Sequence, residues 1–288
     1  MPMRNKEESE MKRSQLIGGA FHYSRWPLSH FLDEMNKLGI EAIEFYAASP
    51  HLYPDDYTRG MAKTIRRQLD DAGIKVEVIT AEQCLLPISI CASDYNARER
   101  SLRMYEKTLE LGYELGAHTM QLMGGYYLKG EDKNFDELDR LVKEGIYRVT
   151  SYAKDLGMEI ILEADPPSAI KNCRDIRKYL DYFKMNNLHG MIDFGASYTC
   201  GEDFTEAVEV LGDELRHIHL NDVKGEEPCF CAGRGDIPLY DWFDILDAHG
   251  YQGTITPEYW GTKYQFEADE VMEETVTFFE KYLAERNG

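Results

Sequence analysis

Hydrophobic and polar positions along the chain alternate between two repeating patterns. Short apolar runs, typical of strands buried on both faces, are each followed by a segment in which apolar residues recur with the period of an α-helix. The predicted strands span residues 15–21, 40–46, 74–80, 118–125, 158–165, 188–195, 215–222 and 253–260. The predicted helices span residues 27–39, 55–73, 97–116, 134–157, 172–184, 204–213, 240–250 and 267–286.

Eight strand–helix pairs in succession predict an α/β fold, a single (β/α)₈ TIM barrel, because repeated right-handed crossovers close a parallel sheet. The length of 288 residues fits a fold that takes roughly 250. An open, doubly wound sheet is the alternative, but residues 18–24, GGAFHYS, lack the G-x-G-x-x-G turn expected after its first strand. We therefore predict an N-terminal extension over residues 1–14 and one barrel domain over residues 15–288.

The longest predicted loops follow strands, at residues 81–96, 126–133 and 223–239. In a barrel such loops lie at one end and usually build the binding pocket.

The composition and charge of the chain limit the kinds of binding partner and the cellular compartment that we expect. The chain is 43% hydrophobic and 29% charged, with a net charge of −20, so a core can form and phosphate backbones are repelled. No apolar run reaches the roughly 18 residues of a membrane span, and the charged N-terminus does not resemble a signal peptide. The six cysteines form no C-x-x-C pair and are predicted to be reduced thiols. These features predict a cytoplasmic protein that binds neither nucleic acid nor membrane.

Candidate chemistry is concentrated at the ends of the last four predicted strands. The residues are Glu163 in ILEAD, Asp193 in MIDFG, His219 in HIHLND and Glu258 in TITPEYW. Successive members are separated by about one strand–helix unit, so all four side chains are expected at the same mouth of the barrel. Three carboxylates and one imidazole suit a divalent cation that prefers oxygen and nitrogen ligands.

Each of these residues also has an ordinary structural interpretation when taken alone. Glu163 and Glu258 suit exposed carboxylates, Asp193 suits a helix cap, and a lone strand histidine is more often a hydrogen-bonded core residue. His217 shares a strand face with His219, and we predict that it lies deeper and supports the ligand. The repetition at four strand ends favours the metal site.

Other polar or aromatic residues near the predicted mouth are candidates for substrate binding. They are His22, Glu44, Gln121, Asp165, His217, Asp222, Arg234 and Trp260. Packing and surface roles remain open for each of them.

The motifs LE, MIDF, HIHLND, GRGD and PE, all within residues 158–260, resemble those of the xylose isomerase-like barrel superfamily. Within it, the chain resembles the sugar phosphate isomerase/epimerase group that includes the ketose 3-epimerases. The resemblance implies that Glu163, Asp193, His219 and Glu258 hold one divalent ion, Mn²⁺ first, with Mg²⁺, Co²⁺ or Zn²⁺ as alternatives. It also implies that Glu163 and Glu258 are catalytic and exchange a proton of the sugar.

The chain departs from the ketose 3-epimerase pattern at two positions. Ala196 stands where that group carries a histidine three residues after the aspartate ligand. Gly225 stands where it carries an arginine six residues after the histidine ligand. The segment HLNDVKG also resembles the endonuclease IV branch, which needs the histidine that Ala196 replaces, so DNA repair is not expected.

We therefore predict a metal-dependent sugar or polyol isomerase or epimerase that transfers a proton next to a carbonyl through an enediolate. The first alternative is a lyase on the same barrel, either an inosose- or dehydroshikimate-type dehydratase or a subunit that eliminates an aglycone from a keto-glycoside. The second is a non-catalytic barrel that binds carbohydrate or assembles with other subunits. The expected partner is a small carbohydrate or polyol, and the relatives suggest a homo-oligomer.

Overall fold

The computed structural model of the chain describes residues 10–83, 88–130, 134–166 and 168–286. Residues 1–9 of the predicted extension lie outside these ranges, as do Cys84 and parts of the predicted loops at 81–96 and 126–133. Among the described residues, Cys173, Cys200, Cys229 and Cys231 are free thiols. Within the described part of the chain, no helix combines the length and the apolar character needed to cross a bilayer.

Ten strands and nine α-helices are described. The strands are β1 (Gly18–Gly19), β2 (Ala42–Ala47), β3 (Lys75–Ala81), β4 (Thr119–Met123), β5 (Glu159–Glu163), β6 (Leu188–Asp193), β7 (Leu215–Leu220), β8 (Asp222–Lys224), β9 (Glu227–Phe230) and β10 (Thr254–Pro257). The helices are α1 (Leu28–Lys37), α2 (Arg59–Ala72), α3 (Tyr95–Leu115), α4 (Phe135–Asp155), α5 (Cys173–Phe183), α6 (Phe194–Thr199), α7 (Phe204–Leu211), α8 (Leu239–Ala248) and α9 (Ala268–Arg286).

Eight of the strands form one parallel sheet in the order β1-β2-β3-β4-β5-β6-β7-β10, with a helix after each strand. The two edges of this sheet meet next to β1. Leu16 forms a parallel bridge with Ile255, and the Ile17 N–H donates to the Ile255 carbonyl at 2.9 Å. The sheet thus closes on itself, which confirms the predicted (β/α)₈ barrel.

Many helix boundaries follow directly from capping residues. Thr58, Asp94, Asn172 and Asp203 each accept a hydrogen bond from a backbone N–H in the first turn of α2, α3, α5 and α7. Gly73 and Gly116 end α2 and α3 in the left-handed conformation that favours glycine.

The strand register brings the carboxyl ends of β4 to β7 to the same level. Met123 pairs with Glu163, and Asp193 pairs with His219. Because side chains alternate across a strand, residues two apart share a face. Ile161 and Met191 form a small buried cluster with Val78, so the residues two positions further along, Glu163 and Asp193, lie on the same face as that cluster.

The first strand is much shorter than the predicted segment 15–21, since only Gly18 and Gly19 form it. The backbone of Gly19 lies against β10. A Cβ atom at Gly19 would overlap the Pro257 carbonyl oxygen and come within 2.8 Å of Thr256 Cγ2. Gly19 therefore permits the close approach at which the barrel closes.

Gly19→Ala is expected to destabilise the protein by about 1–3 kcal/mol, because the added methyl group overpacks this contact. The measurement is chemical denaturation followed by circular dichroism. Gly60→Ala in α2 is the matched control, since the nearest atom to its added Cβ is Thr58 Oγ1 at 3.9 Å. Equal stability of the two variants would contradict this account of barrel closure.

Two elements occupy segments that the sequence pattern left as loops. Helix α6 begins directly after β6, with Asp193 as its N-cap. Strands β8 and β9 form an antiparallel hairpin that begins at Asp222 and extends into the predicted loop 223–239. Both elements lie next to the carboxyl ends of β6 and β7, where they contribute walls to the site.

The described part of the predicted extension, residues 10–14, runs along the barrel. Met11 is buried, and its N–H donates to Asp247 Oδ1 at 2.7 Å. The boundary between extension and barrel at residue 15 stays a prediction.

Candidate metal centre

The four predicted ligands lie together. Each of them offers one donor atom, and these atoms all lie within 4.8 Å of one another. We call this set the mouth quartet, and it consists of Glu163, Asp193, His219 and Glu258. Three of its members are the last or penultimate residue of β5, β6 and β7, and Glu258 follows β10 directly.

The ring of His219 lies at the middle of the mouth quartet. Its Nδ1 atom is 3.1 Å from Glu163 Oε1 and 3.3 Å from Glu258 Oε2. The histidine and Glu163 are buried, and the side chain of Glu258 is 16% exposed. One imidazole nitrogen therefore faces two carboxylates from strands on different sides of the barrel.

Asp193 has two roles in the structure. Its Oδ1 accepts a hydrogen bond from the Ala196 N–H at 2.6 Å and so caps α6. A helix cap was the structural interpretation of this residue from the sequence. Its Oδ2 accepts a hydrogen bond from the Asn221 side-chain amide at 2.6 Å. These contacts fix the carboxylate at the edge of the mouth quartet, and each oxygen keeps a further lone pair for a cation.

Crowding and burial shift the pKa values of three members of the mouth quartet, Glu163, Asp193 and His219. Burial, together with repulsion from Glu258 and Asp165, raises the pKa of Glu163 to about 7 despite its contact with His219. Burial and the same kind of repulsion raise the pKa of Asp193 well above its usual range. For His219, burial disfavours the charged ring, but the carboxylates of Glu258, Glu44 and Glu163 outweigh it and raise the pKa.

A divalent cation fits this arrangement. Donor atoms that share one ion at roughly 2.0–2.6 Å lie within about 5 Å of each other, as the donors of the mouth quartet do. A cation would also relieve the repulsion that raises the pKa values of the buried carboxylates. Three carboxylates and one imidazole suit Mn²⁺ and similar ions.

A cavity of about 240 Å³ opens above the mouth quartet. Three of the four members line it, namely Glu163, Asp193 and Glu258. The rest of its lining consists of Met123, Tyr126, Asp165, Ala196, Thr199, Asn221, Pro228, Cys229 and Trp260. The cavity is thus polar at its base and has aromatic and aliphatic groups around its walls.

Two of the predicted substrate-binding residues face this cavity. Asp165 accepts a hydrogen bond from the Tyr126 hydroxyl at 3.0 Å, and Trp260 is half-buried in the wall. Gln121 is buried behind the mouth quartet, where its amide donates to Glu163 Oε2 and its oxygen accepts from Gln83. Gln121 therefore orients Glu163 rather than lining the cavity.

Three other candidates for substrate binding, Glu44, His217 and His22, are buried below or beside the cavity. Glu44 is 0% exposed and contacts the rings of His217 and His219. His217 lies below His219 on the same strand, with its Nε2 3.0 Å from Glu44 Oε2. His22 packs between Tyr23 and Tyr259, and burial lowers its pKa to about 3. None of the three is among the residues that line the cavity.

Asp222 and Arg234, two further candidates for substrate binding, both have protein partners in the structure. The buried Asp222 carboxylate accepts four backbone N–H groups, from Val223, Gly233, Gly235 and Ile237, at 2.8–3.1 Å. Arg234 forms a two-pronged ion pair with Glu274 of α9 at 2.6 and 2.8 Å. The first organises the loop after β7, and the second ties that loop to the last helix.

Several cavity residues were missed as candidate site residues. Asn221 was detectable, because it lies two residues after His219 and residues two apart share a strand face. Cys229 lies in the hairpin with a positive φ of 62°, which no local pattern predicts. Thr199 belongs to α6, the helix that the sequence pattern did not reveal.

Comparisons with known proteins agree with the fold and the predicted superfamily. The chain is 27% identical over 243 residues to fructoselysine 3-epimerase of Escherichia coli O157:H7, covering 82% of this chain and 86% of that protein. It is 23% identical over 137 residues to inosose dehydratase of Clostridium perfringens, covering 41% of this chain and 46% of that protein.

Among solved structures, a D-tagatose 3-epimerase-like protein superposes with a TM-score of 0.77 at 18% identity, covering 93% of this chain and 98% of that one. This likeness supports the fold. The family described as xylose isomerase-like TIM barrel matches residues 32–282. Since that match covers most of the sequence, the chain belongs to the xylose isomerase-like TIM barrel family.

Proposed function

We propose that this chain is a divalent-metal-dependent epimerase or isomerase of a small carbohydrate or polyol, with Mn²⁺ as the expected ion. The observation that carries the proposal is the convergence of the mouth quartet from four strand ends at the base of one cavity. The relatives that are named as epimerases support the reaction class.

The cavity suits a ligand of modest size. Its volume of about 240 Å³ lies below the roughly 300–1,000 Å³ of pockets for drug-sized molecules. Asp165, Asn221 and Thr199 offer polar groups for hydroxyls, and Trp260 offers an apolar face. A single sugar ring or open-chain ketose has both kinds of surface.

Glu163 and Glu258 are the proposed proton-transfer groups. They come from different strands, both lie beside His219 Nδ1, and both line the cavity. A bound divalent cation supplies Lewis acidity that makes the carbon next to a carbonyl more acidic. One carboxylate then removes the proton from that carbon, and Gln121 orients Glu163 for its part in this transfer.

The outcome depends on where the second carboxylate returns the proton. Return to the same carbon from the opposite face gives epimerisation, and return to the neighbouring carbon gives aldose–ketose isomerisation. The placement of Glu163 on β5 and Glu258 after β10 favours groups on two sides of the substrate. We therefore favour epimerisation.

The proposal is tested by incubating the Mn²⁺-loaded protein with a panel of ketoses in D₂O and following the products by NMR and mass spectrometry. An epimerase gives a product that retains every heavy atom and gains one deuterium at the inverted carbon. Loss of water would instead support the lyase alternative. The similarity of the chain to an inosose dehydratase is the reason for considering that alternative. Absence of both exchange and product across the panel would contradict the proposal.

A further inference from the structure

The buried contacts below the mouth quartet give Glu44 a specific role. We infer that Glu44 is a positioning residue that holds His219 in the tautomer and orientation in which Nδ1 is free to bind a cation. The sequence pattern suggested a substrate contact for this residue instead. The inference rests on the metal centre of the proposed function and assigns a group that supports it.

Glu44 is enclosed by hydrogen-bond donors. Its carboxylate is fully buried, with its oxygens 3.1 and 3.2 Å from His219 Nε2. Glu44 Oε2 is 3.0 Å from His217 Nε2, and the Thr80 hydroxyl donates to Glu44 Oε1. An ionised carboxylate only accepts hydrogen bonds, so the groups that face it act as donors.

This requirement decides where the proton of His219 resides. A neutral imidazole has one N–H and one lone pair, and the hydrogen bond at one nitrogen determines the state of the other. Without a cation, Glu163 and Glu258 favour a proton at Nδ1 as well. When a cation takes the place of that proton the ring is neutral, and Glu44 at Nε2 keeps the remaining N–H at that atom and the lone pair at Nδ1. Nδ1 is the atom that faces Glu163 and Glu258 at 3.1 and 3.3 Å.

The hydrogen bonds of His217 determine its tautomer in the same way. His217 donates from Nε2 to Glu44, so its Nδ1 accepts from the Thr254 hydroxyl, which lies at 2.7 Å. The buried chain therefore runs from Thr254 through His217 and Glu44 to His219. Carboxylates that hold a metal-binding histidine in this way fix the orientation of its ring and raise its basicity.

The test is Glu44→Gln. The amide keeps the size of the side chain but presents an N–H₂ group to rings that already donate. One histidine ring must then turn or move its proton, and a proton on His219 Nδ1 blocks the cation. We expect Mn²⁺ affinity, measured by isothermal titration calorimetry, to fall roughly 10- to 100-fold. The visible absorption bands of bound Co²⁺ should shift, because its nitrogen ligand has changed orientation.

A matched control exists at the other end of the barrel. His189 of β6 is also buried and contacts a carboxylate, with Nδ1 2.6 Å from Glu214 Oε2. Glu214→Gln removes a carboxylate from a buried histidine without touching the mouth quartet. It should leave both Mn²⁺ affinity and the Co²⁺ spectrum unchanged. The control thus shows whether losing any buried histidine–carboxylate contact affects metal binding, or only the contact that positions His219.

The outcomes are distinct. Wild-type affinity and an unchanged Co²⁺ spectrum in Glu44→Gln would overturn the inference and leave the proposed function intact. Absence of Mn²⁺ binding by the wild-type protein would overturn the metal centre and this inference with it. If Glu44→Gln fails to fold, Glu44→Asp replaces it, because it keeps the charge but withdraws the carboxylate from His219. Weaker binding with a shifted spectrum supports the inference, and wild-type values overturn it.

Discussion

Glu163→Gln and Glu258→Gln are each expected to lower kcat by roughly 10²- to 10⁴-fold, the usual contribution of a positioned general acid or base. Glutamine keeps the shape of the side chain but cannot accept or return a proton. The measurement is the rate of epimerisation at saturating Mn²⁺, so that weaker metal binding is compensated. Circular dichroism should show a folded protein in both cases.

Glu159→Gln is the matched control for these two variants. Glu159 lies at the amino end of β5, the strand that ends at Glu163, and its side chain is 47% exposed. Residues at that end of a barrel contribute to stability rather than chemistry. Its kcat should stay within a factor of two or so of the wild-type value. Near-normal turnover in Glu163→Gln or Glu258→Gln would rule out the two-carboxylate mechanism.

The second large effect concerns Mn²⁺ and stability. An ion that binds the folded state alone stabilises it by about 2.7 kcal/mol at a hundred times its Kd, which raises Tm by about 5 °C or more for a protein of this size. The spacing of the donors within 4.8 Å of one another favours such binding, as does the repulsion between carboxylates that raises the pKa of Glu163 and that a cation would relieve. Thermal unfolding with Mn²⁺ and with a chelator measures the difference.

Asp193→Asn provides the contrast. The amide oxygen still caps α6, but the side chain loses the charge that a cation needs. The Mn²⁺-dependent rise in Tm should become much smaller in this variant, while Tm in chelator changes little or increases as repulsion is relieved. An equal Mn²⁺ response in the wild type and in Asp193→Asn would remove Asp193 from the ligand set.

The barrel and the mouth quartet were predictable because both depend on strong periodic signals. Each barrel strand of the structure falls within or within one residue of a predicted apolar segment, and each is followed by a helix. Polar residues at the ends of apolar strands, such as Glu163 and Asp193, interrupt the pattern at regular intervals. The barrel topology then brings them together without any need to know side-chain contacts.

Roles that depend on specific partners were not predictable. Glu44 contacts residues 173 and 175 positions away, and the sequence gives no sign of which polar group it meets. Arg234 was a candidate for substrate binding because it belongs to the GRGD motif, and the sequence did not predict its ion pair with Glu274 of the last helix. Helix α6 was missed because its cap, Asp193, is also the end of a strand.

The four backbone hydrogen bonds that Asp222 accepts bear on how the cavity wall could change without disturbing the mouth quartet. The Asp222 carboxylate, just after β7, accepts N–H groups at both ends of the segment from Val223 to Ile237. The intervening β8–β9 hairpin carries Pro228 and Cys229 to the cavity wall. We therefore expect the sequence of this hairpin to be replaceable without loss of the fold. Grafting a different sequence between Gly225 and Phe230 should change the preference of the proposed enzyme among substrates, while Asp222 and the mouth quartet keep their positions.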